Sequence, residues 1–356
     1  MSINVTINVT INVSTKESNN TSNNSTIKSS INIVHTNYMT LHNMLPRITH
    51  HGFIFIALLA AIFLSSCSNE PDASSSTRNQ NQADPPSQYF VHTNKESLKI
   101  VFLGDAEPKP NPEFPNMAEA VRQINEMHDE DPFDLAIGVG DIAHKGTVVQ
   151  YEQATAVLET LVPEFYPIMG NEERESTVER YLQYISQWNS PVTSLRYTVE
   201  FDPMAFLFAS PDEGRDFNDQ TAQWIANEIQ RLAPKPVALV VHAAQTGAYP
   251  EHPEKGVTNS LFKEIVLTQP NLSMIISGDL HMDMDRTNHS KMLDGIHYLH
   301  IPALERTKIP DETNHRPMFR VMRVDENGFV AVETYALDNP GKALQEHIYT
   351  FVLQTE

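Results

Sequence analysis

The stretch Leu135-Ala136-Ile137-Gly138-Val139-Gly140-Asp141-Ile142-Ala143-His144 begins as an apolar run and ends in residue types that hold metal ions. The run over 135–139 reads as a buried strand, and Gly140 marks where the chain turns out of it. Outward in both directions the same grammar recurs. Gly104-Asp105-Ala106-Glu107 follows an apolar run over 99–103, and Gly170-Asn171-Glu172-Glu173 follows one over 165–169. Val241-His242-Ala243 closes 237–241, and Gly278-Asp279-Leu280-His281 follows 272–277. Strands that stop at one edge of a sheet project the next residues into a shared crevice. Asp, Glu, Asn and His gathered there are hard-to-borderline ligands, suited to an ion that polarises a phosphoryl group. A lone Gly-Asp after a strand means little; five ligand-bearing strand ends in series define a site.

Between and beyond these runs, helical patterns fall at 117–128, 148–161, 176–188, 219–232 and 260–267. In the fourth, Ala222, Ile225, Ile229 and Leu232 make the apolar face, and Asn218 or Asp219 is placed to cap it. Two further strands, 195–201 and 205–209, interrupt the alternation and point to a sheet that turns antiparallel. The tail reads as all-β over 295–301, 319–324 and 329–335, with Glu326-Asn327-Gly328 as a hairpin turn. Residues 97–356 thus form one large α/β domain, long enough to bury a substantial core.

The N-terminal part differs. Within residues 1–43, residues 3–14 repeat Ile-Asn-Val-Thr nearly three times and Asn, Ser and Thr dominate throughout, which buries too little to offset the entropy of ordering. Either this is a disordered extension or translation starts at Met39 or Met44. Residues 44–67 have the anatomy of a signal peptide: Arg47, a thirteen-residue apolar run over 52–64, then Leu64-Ser65-Ser66-Cys67. As a helix that run spans only ~20 Å, short of a bilayer core of ~30 Å. The ending resembles a bacterial lipobox, which implies that Cys67 is lipidated and becomes the mature N-terminus. A secreted protein cleaved nearby and an uncleaved short anchor are the alternatives. Residues 68–96 then serve as a flexible tether. The expected location is the bacterial cell envelope, outside the cytoplasm, with the membrane reached through a lipid anchor.

Cys67 is the single cysteine of the 356 residues, which excludes an intramolecular disulfide and a thiolate zinc cluster. The net charge of −20 sets the surface against a nucleic-acid backbone, so no nucleic-acid partner is expected.

The order of the five segments resembles the calcineurin-like metallophosphoesterases, whose pattern is Asp-x-His, Gly-Asp-x-x-Asp, Gly-Asn-His-Glu, a lone His, then Gly-His-x-His. The resemblance spans 98–337 and implies a four-layer α/β/β/α sandwich. It implies one divalent ion on Asp105, Glu107, Asp141 and His281. A second falls on Asp141, Asn171, His242 and Asp279, with Asp141 shared and a hydroxide between the ions as nucleophile. Glu107 and Asp279 stand where the family has His. That replacement raises the carboxylate count and favours Mn²⁺ or Mg²⁺ over zinc. His144 stands at the usual Asp and Glu172 at the phosphate-contacting His, so a His–carboxylate pair survives with its members exchanged, unless the two residues have drifted and never touch. The exchange puts a carboxylate nearest the substrate, and burial beside other acids works to raise its pKa. Arg174 is either a substrate-binding cation or an exposed residue at a helix start. The histidines His289, His297, His300 and His315 are read as core or surface residues, and Asp283 and Asp285 as an acidic rim or a solvated loop. The function implied is hydrolysis of a small phosphate ester, with a singly charged phosphodiester favoured. The alternative is a catalytically weakened lipoprotein of this fold that binds a metal or ligand.

Overall fold

The computed structural model describes residues 87–109, 111–284, 289–307 and 315–353. The low-complexity segment, the signal-peptide segment, Cys67 and Asp285 lie outside the described residues. Among the described residues, thirteen strands form two mixed sheets. The seven-stranded sheet runs β1 (Gln88–Val91), β5 (Arg196–Glu200), β6 (Ala205–Ala209), β7 (Val237–Val241), β8 (Leu272–Ser277), β10 (Ile296–His300), β9 (Ser290–Leu293). The six-stranded sheet runs β13 (Tyr349–Val352), β12 (Phe329–Ala336), β11 (Met318–Val324), β2 (Leu98–Leu103), β3 (Leu135–Gly138), β4 (Phe165–Pro167).

Strand β7 shows why the sequence has unbroken apolar runs. Ala238 and Val240 enter the core shared with the six-stranded sheet, while Val237, Leu239 and Val241 enter a second core under α5 (Asp219–Leu232). A strand covered on both faces has no polar side to alternate with. Helix α5 meets it with Ala222, Ile225, Ile229 and Leu232, and its start is fixed by the Asn218 side chain accepting from the Thr221 amide at 2.8 Å. On the other sheet, α1 (Pro115–Glu130), α2 (Val148–Leu158) and α4 (Val178–Ile185), which follows the short α3 (Asn171–Arg174), contribute Met117, Ile124, Tyr151, Leu158, Tyr181 and Ile185 to the first core. The result is the expected α/β/β/α sandwich. Among the described residues no helix is long and apolar enough to cross a membrane.

The structure departs from the sequence reading in places. Gln88–Val91, expected within the tether, pairs in parallel with β5, so the domain begins before residue 97. β9 and β13 were not expected. The helix expected over 260–267 contains a π-helical turn, Phe262–Val266, and the one expected over 176–188 ends at Ile185.

Candidate metal centre

All five ligand-bearing turns converge at one edge of the sandwich, where β2, β3, β4, β7 and β8 end. The turns are tight enough that Asp105 (φ 40°), Asp141 (φ 52°), Asp279 (φ 71°) and His281 (φ 49°) adopt left-handed backbone. Such conformations cost of order 1–3 kcal/mol each and persist only where the surroundings enforce them. The enforcement is visible. Asp105 Oδ1 accepts from the Asp279 amide at 3.0 Å, Asp141 Oδ1 from the Glu172 amide at 2.9 Å, and the Asp141 carbonyl from the Glu107 amide at 2.9 Å. At Gly170 a side chain is impossible, because a Cβ would stand 2.3 Å from both the amide nitrogen and Oδ1 of Asp141.

Two buried groups of ligand atoms share Asp141: Asp105, Asp141 and His281, and Asp141, His242 and Asp279. His242 uses Nδ1 on the Val139 carbonyl at 2.8 Å, which turns Nε2 toward Asn171 Oδ1 at 3.1 Å, Asp141 Oδ1 at 3.4 Å and Asp279 Oδ1 at 3.7 Å. His281 uses Nδ1 on the Arg306 carbonyl at 3.3 Å, with Nε2 at 3.4 Å from Glu107 Oε1 and 3.8 Å from Asp141 Oδ2. A ring whose Nδ1–H is spent on a carbonyl offers its Nε2 lone pair outward, as metal-bound histidines do. Asp105 Oδ2, Asp279 Oδ2 and His281 Nε2 are buried without a hydrogen-bond partner. Buried polar atoms left so are costly unless something binds them, and these donors suit a divalent ion.

The electrostatics of the metal-free pocket follow from this crowding. Burial opposes ionisation of Asp141, but His242 and His281 prevail and hold it well below the usual carboxylate range. Burial lowers the affinity of His242 for its proton, yet Asp141 and its neighbouring acids outweigh this and push it up to about 10. Asp105 is raised, by burial first, despite the two histidines.

Glu107 touches the first group through its Oε1, 3.4 Å from His281 Nε2, but falls in a third candidate group of its own. It clusters with His144 and Glu172. Its Oε2 is 3.0 Å from Lys109 Nζ and 3.1 Å from His144 Nδ1, and its Oε1 accepts from Arg306 Nη2 at 2.7 Å. The exchanged pair is in direct contact: His144 Nδ1 lies 2.6 Å from Glu172 Oε2. Glu172 does not titrate as expected. Burial and Asp141 work to raise it, but Lys109 at 3.1 Å and the Lys145 amide at 3.1 Å hold it below its ordinary value. Arg174 lies with Nη2 on the Asp212 carbonyl. Of the C-terminal histidines, His289 and His300 are buried together with their Nδ1 atoms 2.8 Å apart, His297 stacks on Phe351, and His315 donates to Asp283.

Four residues were not legible. Glu173 is buried and takes four backbone amides, from Ile142 (2.6 Å) and Ala143 (2.7 Å) on one oxygen and Gly170 (2.8 Å) and Asp141 (3.0 Å) on the other. It binds the Gly140 turn to the Gly170 turn, while burial and Asp141 push it up to about 8. Its place beside Glu172 in the third motif was the available signal. Lys109 follows the first motif by two residues without being part of it, and Arg306 and Arg215, whose Nε lies 2.5 Å from Asp279 Oδ1, belong to loops with no motif, so none of the three carried a signal.

A sandwich with two buried ligand groups joined by one aspartate defines a candidate dimetal hydrolase. Residues 98–283 match the family model of the calcineurin-like phosphoesterases, more than half of the chain, and the protein belongs to that family. A search of curated proteins finds no match. Among solved structures, a dimetal phosphatase from Danio rerio is 11% identical with a TM-score of 0.52, over 72% of this chain and 99% of that one. GAP50, the anchor in the inner membrane complex of Plasmodium, is 10% identical with a TM-score of 0.51, over 74% and 90%. A purple acid phosphatase from yellow lupin seeds is 13% identical with a TM-score of 0.50, over 72% of this chain and 54% of that one. At these identities the likeness is one of fold.

Proposed function

We propose that the protein hydrolyses a small phosphate ester, preferably a phosphodiester, with two divalent ions of the Mn²⁺ or Mg²⁺ kind. The observation that carries this is Asp141, shared by two buried ligand groups in which Asp105 Oδ2, Asp279 Oδ2 and His281 Nε2 have no hydrogen-bond partner. Ions bound there supply Lewis acidity to a phosphoryl oxygen and to water. Asp105, Asp141 and His281 would hold one, and Asp141, His242 and Asp279 the other, with Asn171 beside His242. The chain's own part is orientation: the Val139 and Arg306 carbonyls fix the two imidazoles, and Glu173 locks the turns that carry Asp141 and Asn171. Glu172, held ionised by Lys109 and oriented by His144, presents a fixed negative charge at the rim. A monoanionic diester meets less repulsion there than a dianionic monoester. The Cys67 segment supports a lipid-anchored place in the bacterial envelope for this activity.

A second reading is favoured by Glu107, whose oxygens are engaged by Arg306, Lys109 and His144. A site with one ligand diverted serves a weakened, metal- or ligand-binding protein. Metal content by mass spectrometry, with chromogenic diester and monoester assays in Mn²⁺, separates the two. Two ions and diester turnover support hydrolysis; bound ions without turnover of either ester support the second reading.

A further inference from the structure

Asp279 stands where the family resemblance expects a neutral imidazole, and a bare carboxylate there adds a full negative charge to the centre. The structure answers that charge. Arg215 Nε lies 2.5 Å from Asp279 Oδ1, while Asp279 Oδ2 stays buried with no hydrogen-bond partner. Charge-assisted contacts of this kind are strong and directional. Oδ1, 3.7 Å from His242 Nε2, is therefore shared with Arg215, Oδ2 has no hydrogen-bond partner, and the Asp279–Arg215 pair has no net charge. An imidazole turned by a carbonyl on Nδ1 has the same two properties: one donor atom and no charge.

The contact is built into the fold. Arg215 lies in the turn between β6 and α5, and that turn is clamped on both sides. Asp212 takes Arg196 Nη2 at 2.8 Å and the Asn218 amide at 2.9 Å, and its carbonyl takes Arg174. Asp216 Oδ1 takes the amides of Phe217 at 2.9 Å, Asn259 at 3.1 Å and Thr258 at 3.2 Å. Arg174 thus bears on the site by holding the loop that delivers Arg215.

We infer that Asp279 and Arg215 act as a single neutral, one-donor ligand in place of an imidazole, with Arg215 a positioning residue that sets the charge of the metal centre. The inference rests on the two-metal reading above. It also explains how a centre that gained a carboxylate keeps its pull on a phosphoryl oxygen.

The test is a thermodynamic cycle on chelator-stripped protein, titrated with Mn²⁺ and Zn²⁺ by calorimetry, using wild type, R215M, D279H and D279H/R215M. In R215M a full positive charge leaves the centre, and Mn²⁺ should bind about tenfold more tightly. In the D279H background the same change should move affinity by less than about twofold. R215K, which keeps the charge, should stay within about threefold of wild type. An equal effect of R215M in both backgrounds, or none in either, would overturn the unit and leave the dimetal reading standing. If no variant binds either ion, both readings fall together. Should R215M not fold while D279H/R215M does, that rescue in thermal melting supports the unit, and failure of both variants overturns it.

Discussion

Asp279 and Glu107 are the same kind of departure met by different surroundings. Each is a fully buried carboxylate at a position where imidazole is expected, and each faces an arginine from a distant loop. Asp279 meets Arg215 at 2.5 Å and His242 Nε2 at 3.7 Å, keeps one oxygen without a hydrogen-bond partner, and belongs to a candidate ligand group with Asp141 and His242. Glu107 meets Arg306, Lys109 and His144, and its oxygens are taken up in a charge network with Glu172.

The change that should break both sides at once is Asp141→Asn. It removes the shared ligand, and metal affinity should fall by more than about a hundredfold, beyond what loss of an outer partner causes. Substituting His289, His297, His300 or His315 should leave metal content intact; calorimetry and metal analysis check both.

The Asp279 side should also be the pH-dependent one. His242 is raised from 6.5 to about 10 in the metal-free protein, so below that pH an ion must displace its proton. Affinity should rise by about one decade per pH unit toward that value, measurable by calorimetry in buffers of different ionisation heat. The same shift gives the metal-free fold stability that is full below 6.5 and lost as pH climbs through about 10. Melting the stripped protein across this window reads it directly.

Isosteric neutralisation sharpens the contrast. Asp279→Asn should lower occupancy of one ion. Glu107→Gln should leave metal content nearly unchanged and instead destabilise the fold by about 3 kcal/mol, because its cationic partners lose their anion. Equal metal loss in the two variants would show that Glu107 is a ligand after all.

The smallest effect concerns the exchanged pair. His144→Asp with Glu172→His should be milder than the sum of the single changes by about 1 kcal/mol, since the contact at 2.6 Å is rebuilt with opposite polarity. Diesterase activity should rise in the double variant, as a donor again faces the substrate. Additive losses in chemical denaturation would remove the coupling.

The sequence by itself determined where candidate ligands stand along the chain. An apolar run followed by Gly-Asp, Gly-Asn or His is a local signal, because strand burial and a tight exit turn depend on adjacent residues. Asp105, Asp141, His242, Asp279 and His281 were all legible for that reason, as was the sandwich from the order of its strands. It missed β1, a short edge strand of four residues whose partner lies more than a hundred positions away. It also misjudged the charge of the centre. Only the tertiary structure brought Arg215 to Asp279 across 64 positions and Arg306 to Glu107 across 199. Coulombic contacts act through space and leave no periodicity in the chain. That is why residue type marked Glu107 and Asp279 alike as candidate ligands, while the different cations around each were legible only in the fold.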